Sequence, residues 1–201
     1  GNTVLAIDPY TKESGLTPPR FQADIVLATQ DHPLHANTTA LTGAPFLITG
    51  AGEYEVKGIM IEGVSADART VYILELENMR LCHLGAYSEK NIPDSVLERI
   101  GTPDILFLPV GSADALDAEE AVQVMNLIEP RIVIPMYYAF PGFTPPPESH
   151  GRKPLVGGFA ALPLESAEKF LAEVGASPAP EEKLTIKKKE VPQEETKIVL
   201  L

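Results

Sequence analysis

Short apolar runs separated by turn residues dominate the first half of the chain. Continuous aliphatic stretches at residues 4–7, 24–28 and 45–49 predict buried strands. Apolar and polar residues alternate around Lys57-Gly58 and around Glu77-Asn78, which predicts hairpins over residues 52–64 and 71–84. The N-terminal half is therefore expected to be rich in strands.

Strand and helix signals alternate in the second half. We predict strands at residues 104–110, 131–135, 184–188 and 197–201, and helices at residues 93–101, after the cap Asp117, and at 164–174. Residues 140–163 are rich in Pro and Gly and predict a loop. Hairpins followed by alternating strands and helices favour a layered α/β sandwich over a doubly wound parallel sheet. Its layers are expected to be of the α+β type.

Composition narrows the class of protein. With 201 residues and 44% hydrophobic content, one domain spanning residues 1–201 is the simplest expectation. No apolar run approaches the ~18 residues of a membrane span, and nothing resembles a signal peptide. Cys82 is the only cysteine, which fits a cytoplasmic protein without an internal disulfide. A net charge of −12 argues against nucleic acid and anionic membranes as partners.

A buried strand leads into a histidine-containing loop at residues 23–35, Ala-Asp-Ile-Val-Leu-Ala-Thr-Gln-Asp-His-Pro-Leu-His. This segment resembles the HxHxDH signature of the metallo-β-lactamase superfamily, in which a hydrophobic strand ends in Thr-His-x-His-x-Asp-His. His32 and His35 stand at the second and third histidines of that pattern. Gln30 stands at the first histidine, and Leu34 stands at the aspartate.

Four later segments resemble the small single-domain branch of the same superfamily, in the same order. Residues 49–56 resemble its GPGEYEV hairpin, and residues 81–85 resemble its ICHLGD strand. Residues 106–121 resemble its VPVG…DAxEA stretch, and residues 128–138 resemble its LEPKIVIPMHY segment. The resemblance implies a metallo-β-lactamase-like αββα sandwich from about residue 3 to the C-terminus.

The resemblance also implies where metal ligands would lie. In the family, histidines and carboxylates hold two zinc ions, which lower the pKa of a bound water toward about 7. Ala86 stands at the aspartate that bridges both ions, and Tyr137 stands at the final histidine. Gln30, Leu34, Ala86 and Tyr137 are thus vacated ligand positions, and His32 and His35 remain as residual ligands. Two imidazoles alone make a poor zinc site, because a catalytic zinc takes three protein ligands.

Two stretches depart from the family in length. The chain starts at Gly1-Asn2-Thr3 without the first strand of the family, and the step from Val64 to Val71 is shorter than expected. The family places its third histidine near that step, and no histidine occurs between His35 and His83. Either the gene has lost these segments or they lie outside the sequence given.

Other candidate residues have ordinary interpretations beside the functional ones. His83 and Cys82 lie in an apolar strand, where we expect a core histidine and a buried inert thiol. Asp8 follows a buried strand, and two roles stay open for it. It either supports the histidine loop, as the corresponding aspartate does in the family, or caps a turn independently of that loop.

The leading functional hypothesis is a non-hydrolytic relative of metal-dependent hydrolases, with a binding or scaffolding role. No cofactor is expected beyond zinc at low occupancy, and the partner is an unidentified small molecule or protein, or a second copy in a homo-oligomer. The alternative is a hydrolase that uses a reduced, single-metal site on His32 and His35. The fold cannot name a substrate, because it serves several reactions.

Overall fold

The structure, a computed structural model, describes residues 3–14, 16–30, 36–66, 68–111, 115–140 and 164–201. Its strands are β1 (Leu5–Ile7), β2 (Ile25–Leu27), β3 (Phe46–Ile48), β4 (Gly52–Val56), β5 (Ile59–Ala66), β6 (Arg69–Leu76), β7 (Met79–His83), β8 (Ile105–Pro109), β9 (Ile132–Met136) and β10 (Lys197–Ile198). Its α-helices are α1 (Asp94–Ile100), α2 (Ala118–Ile128) and α3 (Ala167–Glu173). Short 3-10 helices lie at Lys12–Ser14, Thr38–Ala40 and Lys188–Glu190.

These strands form two sheets among the described residues. The smaller sheet is parallel and has the order β1-β2-β3. The larger sheet has the order β10-β9-β8-β7-β6-β5-β4, with antiparallel pairing from β4 to β7 and parallel pairing from β7 to β10. Both hairpins predicted from the sequence are confirmed, with turns at Lys57-Gly58 and Glu77-Asn78.

The larger sheet is buried on both faces, which explains its nearly continuous apolar strands. The three α-helices pack on one face, where Ile100, Val124 and Phe170 meet Leu106 and Val133. The smaller sheet covers part of the other face and forms a second core with it; this core contains Ile25, Leu27, Ile48, Ile59, Ile61, Tyr72 and Leu74. The layers are thus helices, the larger sheet and the smaller sheet.

The rest of that second face is covered by the C-terminal segment. Leu184 and Ile186 pack against Ile105, Ile132 and Ile134 of β8 and β9. The strand predicted at residues 184–188 is wrong, because β10 occupies the edge beside β9 and leaves the earlier segment no ladder to join. Its alternating apolar residues reflect packing on a sheet face instead.

The predicted helix starts agree with the structure for α1 and α2 and differ for α3. Asp117 caps α2 as predicted, accepting a hydrogen bond from the Glu120 backbone N–H at 2.9 Å. α3 begins at Ala167, three positions later than the prediction of residue 164. Ser166 is its cap, and Glu165 is held in extended pairing by the Gly111 carbonyl, 2.7 Å from its nitrogen.

Two further predictions concern the loop and the membrane. Residues 141–163 of the predicted loop lie outside the described residues. Throughout the described ranges, every helix is too short or too polar to cross a bilayer.

The phenol of Tyr72 joins the two sheets at the end where β2 and β3 finish. Tyr72 is fully buried on β6, and its hydroxyl lies 3.0 Å from the Ala28 carbonyl oxygen and 3.2 Å from the Ile48 carbonyl oxygen. The single hydroxyl proton is therefore shared between two acceptors, and the Ile48 carbonyl also accepts the Ala28 backbone N–H at 2.9 Å. Burial raises the pKa of Tyr72, so the phenol stays a hydrogen-bond donor.

We predict that Tyr72→Phe lowers the free energy of unfolding by about 1–3 kcal/mol, because the Ala28 carbonyl loses its phenol donor while the Ile48 carbonyl keeps the Ala28 backbone N–H. The measurement is urea unfolding followed by circular dichroism. Tyr54→Phe is a matched control, since the half-buried Tyr54 hydroxyl also lies near two carbonyls, those of Gly50 and Ala51. Equal losses in the two variants would contradict a special role for Tyr72.

Candidate functional site

Residues at the ends of several strands meet at one end of the sandwich. Asp8 follows β1, Thr29 and Gln30 follow β2, and Tyr137 follows β9. The start of β6 lies at the same end, because the Thr70 backbone N–H donates to the Thr29 carbonyl at 2.8 Å. Carboxyl ends of parallel strands commonly form binding sites in this way. We call this group of residues the strand-end site.

The Asp8 carboxylate organises the strand-end site. One oxygen accepts the Thr29 backbone N–H at 2.8 Å, and the other accepts the Thr29 hydroxyl at 2.7 Å. Asp8 itself has a φ of 48°, a left-handed conformation that is uncommon outside glycine. The contacts fix Thr29, the residue immediately before Gln30, so Asp8 connects the ends of β1 and β2. The histidine loop lies outside the described residues, so a role of Asp8 in supporting that loop stays a prediction.

Tyr137 contacts the same carboxylate from β9. Its phenol donates a hydrogen bond to Asp8. Burial raises the pKa of Tyr137 well above its usual value, and the Asp8 charge and hydrogen bond raise it further, while the Arg69 charge lowers it. Tyr137 also adopts a left-handed conformation, with a φ of 58°. Two strained residues in contact are typical of functional sites, where each costs of order 1–3 kcal/mol.

Arg69 is a site residue that the sequence reasoning missed. It begins β6, and its Nη1 donates to the Ser88 hydroxyl at 3.0 Å. Its positive charge lowers the pKa of Tyr137, against the larger effect of burial. One feature of the sequence could have indicated Arg69. It is a cationic residue within the shortened segment between Val64 and Val71, near which the family places a histidine ligand.

Gln30 and Ala86 also lie at the strand-end site, and their assignment as vacated ligand positions stays a prediction. Gln30 is 9% exposed, and its Nε2 is buried without a hydrogen-bond partner among the described residues. Ala86 is buried directly after Gly85. A Cβ at Gly85 would lie 2.6 Å from the Thr29 hydroxyl oxygen, so only glycine lets the end of β7 approach Thr29 this closely.

The remaining candidates are placed as follows. His32, Leu34 and His35 lie outside the described residues, so their assignment as residual ligands and a vacated position stays a prediction. His83 is buried, accepts the Gly85 backbone N–H at Nδ1 (3.1 Å) and packs its ring 5.4 Å from that of Phe107. Cys82 is fully buried, and burial raises the pKa of its thiol.

The described residues bring no three potential metal ligands together from the histidines, cysteines, aspartates and glutamates. At the strand-end site the groups at the family's ligand positions are an amide, a methyl group and a phenol. The other family ligand positions, His32, Leu34 and His35, lie outside the described residues, so the metal affinity of the complete set stays a prediction.

Comparison with known proteins identifies the family. The family model described as a β-lactamase superfamily domain matches residues 1–137 of the 201-residue chain. The chain belongs to the metallo-β-lactamase superfamily. The mixed α/β metallo-β-lactamase fold expected from the resemblance is therefore confirmed. Of the four layers in the αββα sandwich, the described residues form the helical layer and the two sheets.

Alignments with relatives and with a solved structure of the superfamily cover most of this chain. A metal-dependent hydrolase of Pyrococcus horikoshii is 30% identical over 202 residues, which cover 81% of this chain and 88% of the relative. One of Thermococcus onnurineus is 26% identical over 200 residues, with the same two coverages. A crystal structure of a candidate zinc-dependent hydrolase from Thermotoga maritima superposes with a TM-score of 0.71 at 25% identity, covering 90% of this chain and 83% of that chain.

The raised pKa of Tyr137 predicts a pH dependence of stability. Above about pH 10 the unfolded chain loses the phenol proton while the folded chain keeps it, so stability falls as pH rises toward the folded-state pKa. In Tyr137→Phe this fall should be shallower, and one late-titrating phenol should disappear from the ultraviolet absorbance titration. Tyr54→Phe should keep the late phenol. An unchanged high-pH titration in Tyr137→Phe would refute the buried contact.

Proposed function

We propose that this chain is a non-hydrolytic member of the metallo-β-lactamase superfamily that binds a ligand at the strand-end site. The observation that carries the proposal is the chemistry of the described positions where the family has ligands: Gln30, Ala86 and Tyr137. Its relatives are named metal-dependent hydrolases, so the scaffold is that of a hydrolase family. In this proposal the chain keeps the hydrolase fold of its relatives and does not catalyse hydrolysis.

The contacts of Tyr137 support this proposal. A tyrosine binds a metal best as a phenolate, yet this phenol donates its proton to Asp8, and burial raises its pKa. Asp8 is engaged in turn by Tyr137 and by two groups of Thr29. Both oxygens of the carboxylate therefore already accept hydrogen bonds from the protein, which supports a role in holding strand ends together.

The small side chain of Ala86 supports it further. The family uses a carboxylate at this position to bridge two metal ions, and a methyl group supplies neither charge nor lone pairs. Losing even an outer-shell partner of a metal ligand typically costs 10–100-fold in metal affinity. Losing ligands themselves is expected to cost more.

One observation favours a second function. His32 and His35 keep the residue type of two family ligands, and the relatives are named as metal-dependent enzymes. The second candidate is therefore a hydrolase with one metal ion on these two histidines and a further ligand. A single bound zinc with an open position can activate water.

Metal analysis tests the proposal directly. We expect the full chain, purified without chelator, to contain far less than one metal ion per chain by inductively coupled plasma mass spectrometry. The restored variant Gln30→His/Ala86→Asp/Tyr137→His should bind zinc at least about tenfold more tightly. Adding His32→Ala and His35→Ala to that variant is the control and should abolish the gain. Zinc or iron near one per chain in the unmodified protein would contradict the proposal.

An activity assay separates the two candidates. With zinc or manganese added, the unmodified chain should hydrolyse model esters and phosphodiesters no faster than metal and buffer alone. Metal-dependent turnover that is lost in His32→Ala/His35→Ala would establish the hydrolase instead. Turnover that persists in this double variant would indicate a contaminant, and the protein would then count as inactive.

A further inference from the structure

A groove opens where the helical layer meets the edge of the larger sheet. Its volume is about 540 Å³, and it is lined by Met125 of α2, residues 174–178 after α3 and residues 196–198 at β10. The Thr196 hydroxyl donates to the Pro130 carbonyl at 2.7 Å, so this groove lies near the start of β9. The strand-end site lies after the end of β9, which makes the two places separate. We call this feature the β10 groove.

One wall of the β10 groove is an open sheet edge. Across the described ranges, β10 is the last strand of the larger sheet. The Lys197 backbone N–H donates to the Arg131 carbonyl at 2.9 Å, and the Val199 N–H donates to β9 at the same distance. Because successive backbone groups of a strand point to opposite sides, the N–H and C=O of Ile198 point away from β9. Such an edge can pair with a further strand.

The floor of the β10 groove is apolar. The Ile198 side chain belongs to the core beneath the helices, and Met125, Val174 and Ala176 pack against that core while staying partly exposed. Side chains alternate along a strand, so the Lys197 side chain belongs to the opposite face of β10. An apolar side chain of an added strand would therefore meet an apolar surface beside Ile198.

Three carboxylates adjoin the β10 groove from three segments. Glu129 is the C-cap of α2, Glu173 directly precedes Val174, and Glu195 directly precedes Thr196. All three side chains are exposed, and none forms an ion pair with a cation in the part of the chain that the structure describes. Carboxylates in this state favour a basic partner. The net charge of −12 adds to that preference and disfavours a second copy of this chain.

We propose that the β10 groove docks an extended basic segment of a partner protein, which adds to the open edge of β10 as a further strand. Main-chain groups of the segment pair with those of Ile198, and an apolar side chain lies on the floor. Lysines or arginines of the segment face the three glutamates. This interaction goes beyond the proposed non-hydrolytic function and does not depend on it.

Fluorescence anisotropy of the full chain tests the proposal with a defined probe, a short fluorescein-labelled peptide of alternating lysine and valine. The peptide should bind saturably with one site per chain, and added salt should weaken the binding because it screens the charges. The same peptide with glutamate in place of every lysine is the control probe. It should bind at least about tenfold more weakly.

Two N-methylated forms of the peptide test strand addition itself. The N–H groups of all valines lie on one edge of the extended peptide, and those of all lysines lie on the other edge. Methylation of one of these two sets should abolish binding, because it blocks the edge that pairs with β10. Methylation of the other set should leave binding intact. Equal effects of the two forms would contradict strand addition.

Ser177→Arg tests the location of the binding site. Ser177 is exposed in the wall of the β10 groove, so an arginine there blocks the groove and repels a basic peptide. The variant should weaken binding at least about tenfold. Ser65→Arg is the matched control, because it adds the same side chain at an exposed position of β5. Equal losses in the two variants would overturn the location.

Glu173→Gln/Glu195→Gln tests the charge argument without changing the shape of the groove. The double variant should weaken binding at least about twofold, because exposed ion pairs contribute little each. Glu55→Gln/Glu77→Gln removes the same charge from exposed positions on and beside the hairpin strands and should leave binding unchanged. If Ser177→Arg does not fold by circular dichroism, the glutamate variants decide the location.

Three results would overturn the inference. One is the absence of saturable binding of the lysine–valine peptide, and another is equal binding of the glutamate form. The third is a concentration-dependent dimer in light scattering that Ser177→Arg abolishes, since it would make a second copy of the chain the occupant. None of these results bears on the metal content, which tests the proposed function separately.

Discussion

The strand-end site depends on one carboxylate. Asp8 accepts hydrogen bonds from the backbone and side chain of Thr29 and from the phenol of Tyr137, so it connects the ends of β1, β2 and β9. β1 and β2 belong to the smaller sheet and β9 belongs to the larger one, so the carboxylate joins the two sheets. Because both Asp8 and Tyr137 adopt left-handed conformations, the contact also fixes backbone geometry that an unconstrained chain would avoid. The same arrangement that holds the scaffold together thus shapes the site.

Tyr72 complements this connection from within the core. Its hydroxyl serves the carbonyls of Ala28 and Ile48, which belong to β2 and β3 of the smaller sheet, while its ring packs between the two sheets. Asp8 and Tyr72 therefore hold the strand ends from two sides, one at the rim and one in the interior. Contacts of this kind stabilise the fold independently of the other side chains at the strand ends. The same fold can therefore carry different side chains at its functional site.

Local patterns in the sequence predicted most elements of the fold, and non-local contacts explain the failures. The hairpins at Lys57-Gly58 and Glu77-Asn78 and the cap at Asp117 depend on neighbouring residues, so their signals were readable. The segment around Leu184 and Ile186 has the alternation of a strand, yet its neighbour β9 pairs with β10 instead. The local sequence does not show which of two distant segments will pair with a given sheet edge.

The same distinction holds for the candidate site. Gln30, Ala86 and Tyr137 could be placed from the family pattern, because each stands in a recognisable motif. Arg69 could not, since its importance comes from contact with Ser88 and from the effect of its charge on Tyr137, which are distant in sequence. The contact between Tyr137 and Asp8 likewise joins residues from opposite parts of the chain.

The close approach at Gly85 has an evolutionary consequence. Any larger residue there would meet the threonine hydroxyl that Asp8 holds, so position 85 after β7 and position 29 after β2 must change together or not at all. Chains that drift at this glycine would first need a smaller partner at position 29. This steric lock therefore keeps the ends of β2 and β7 at a fixed separation.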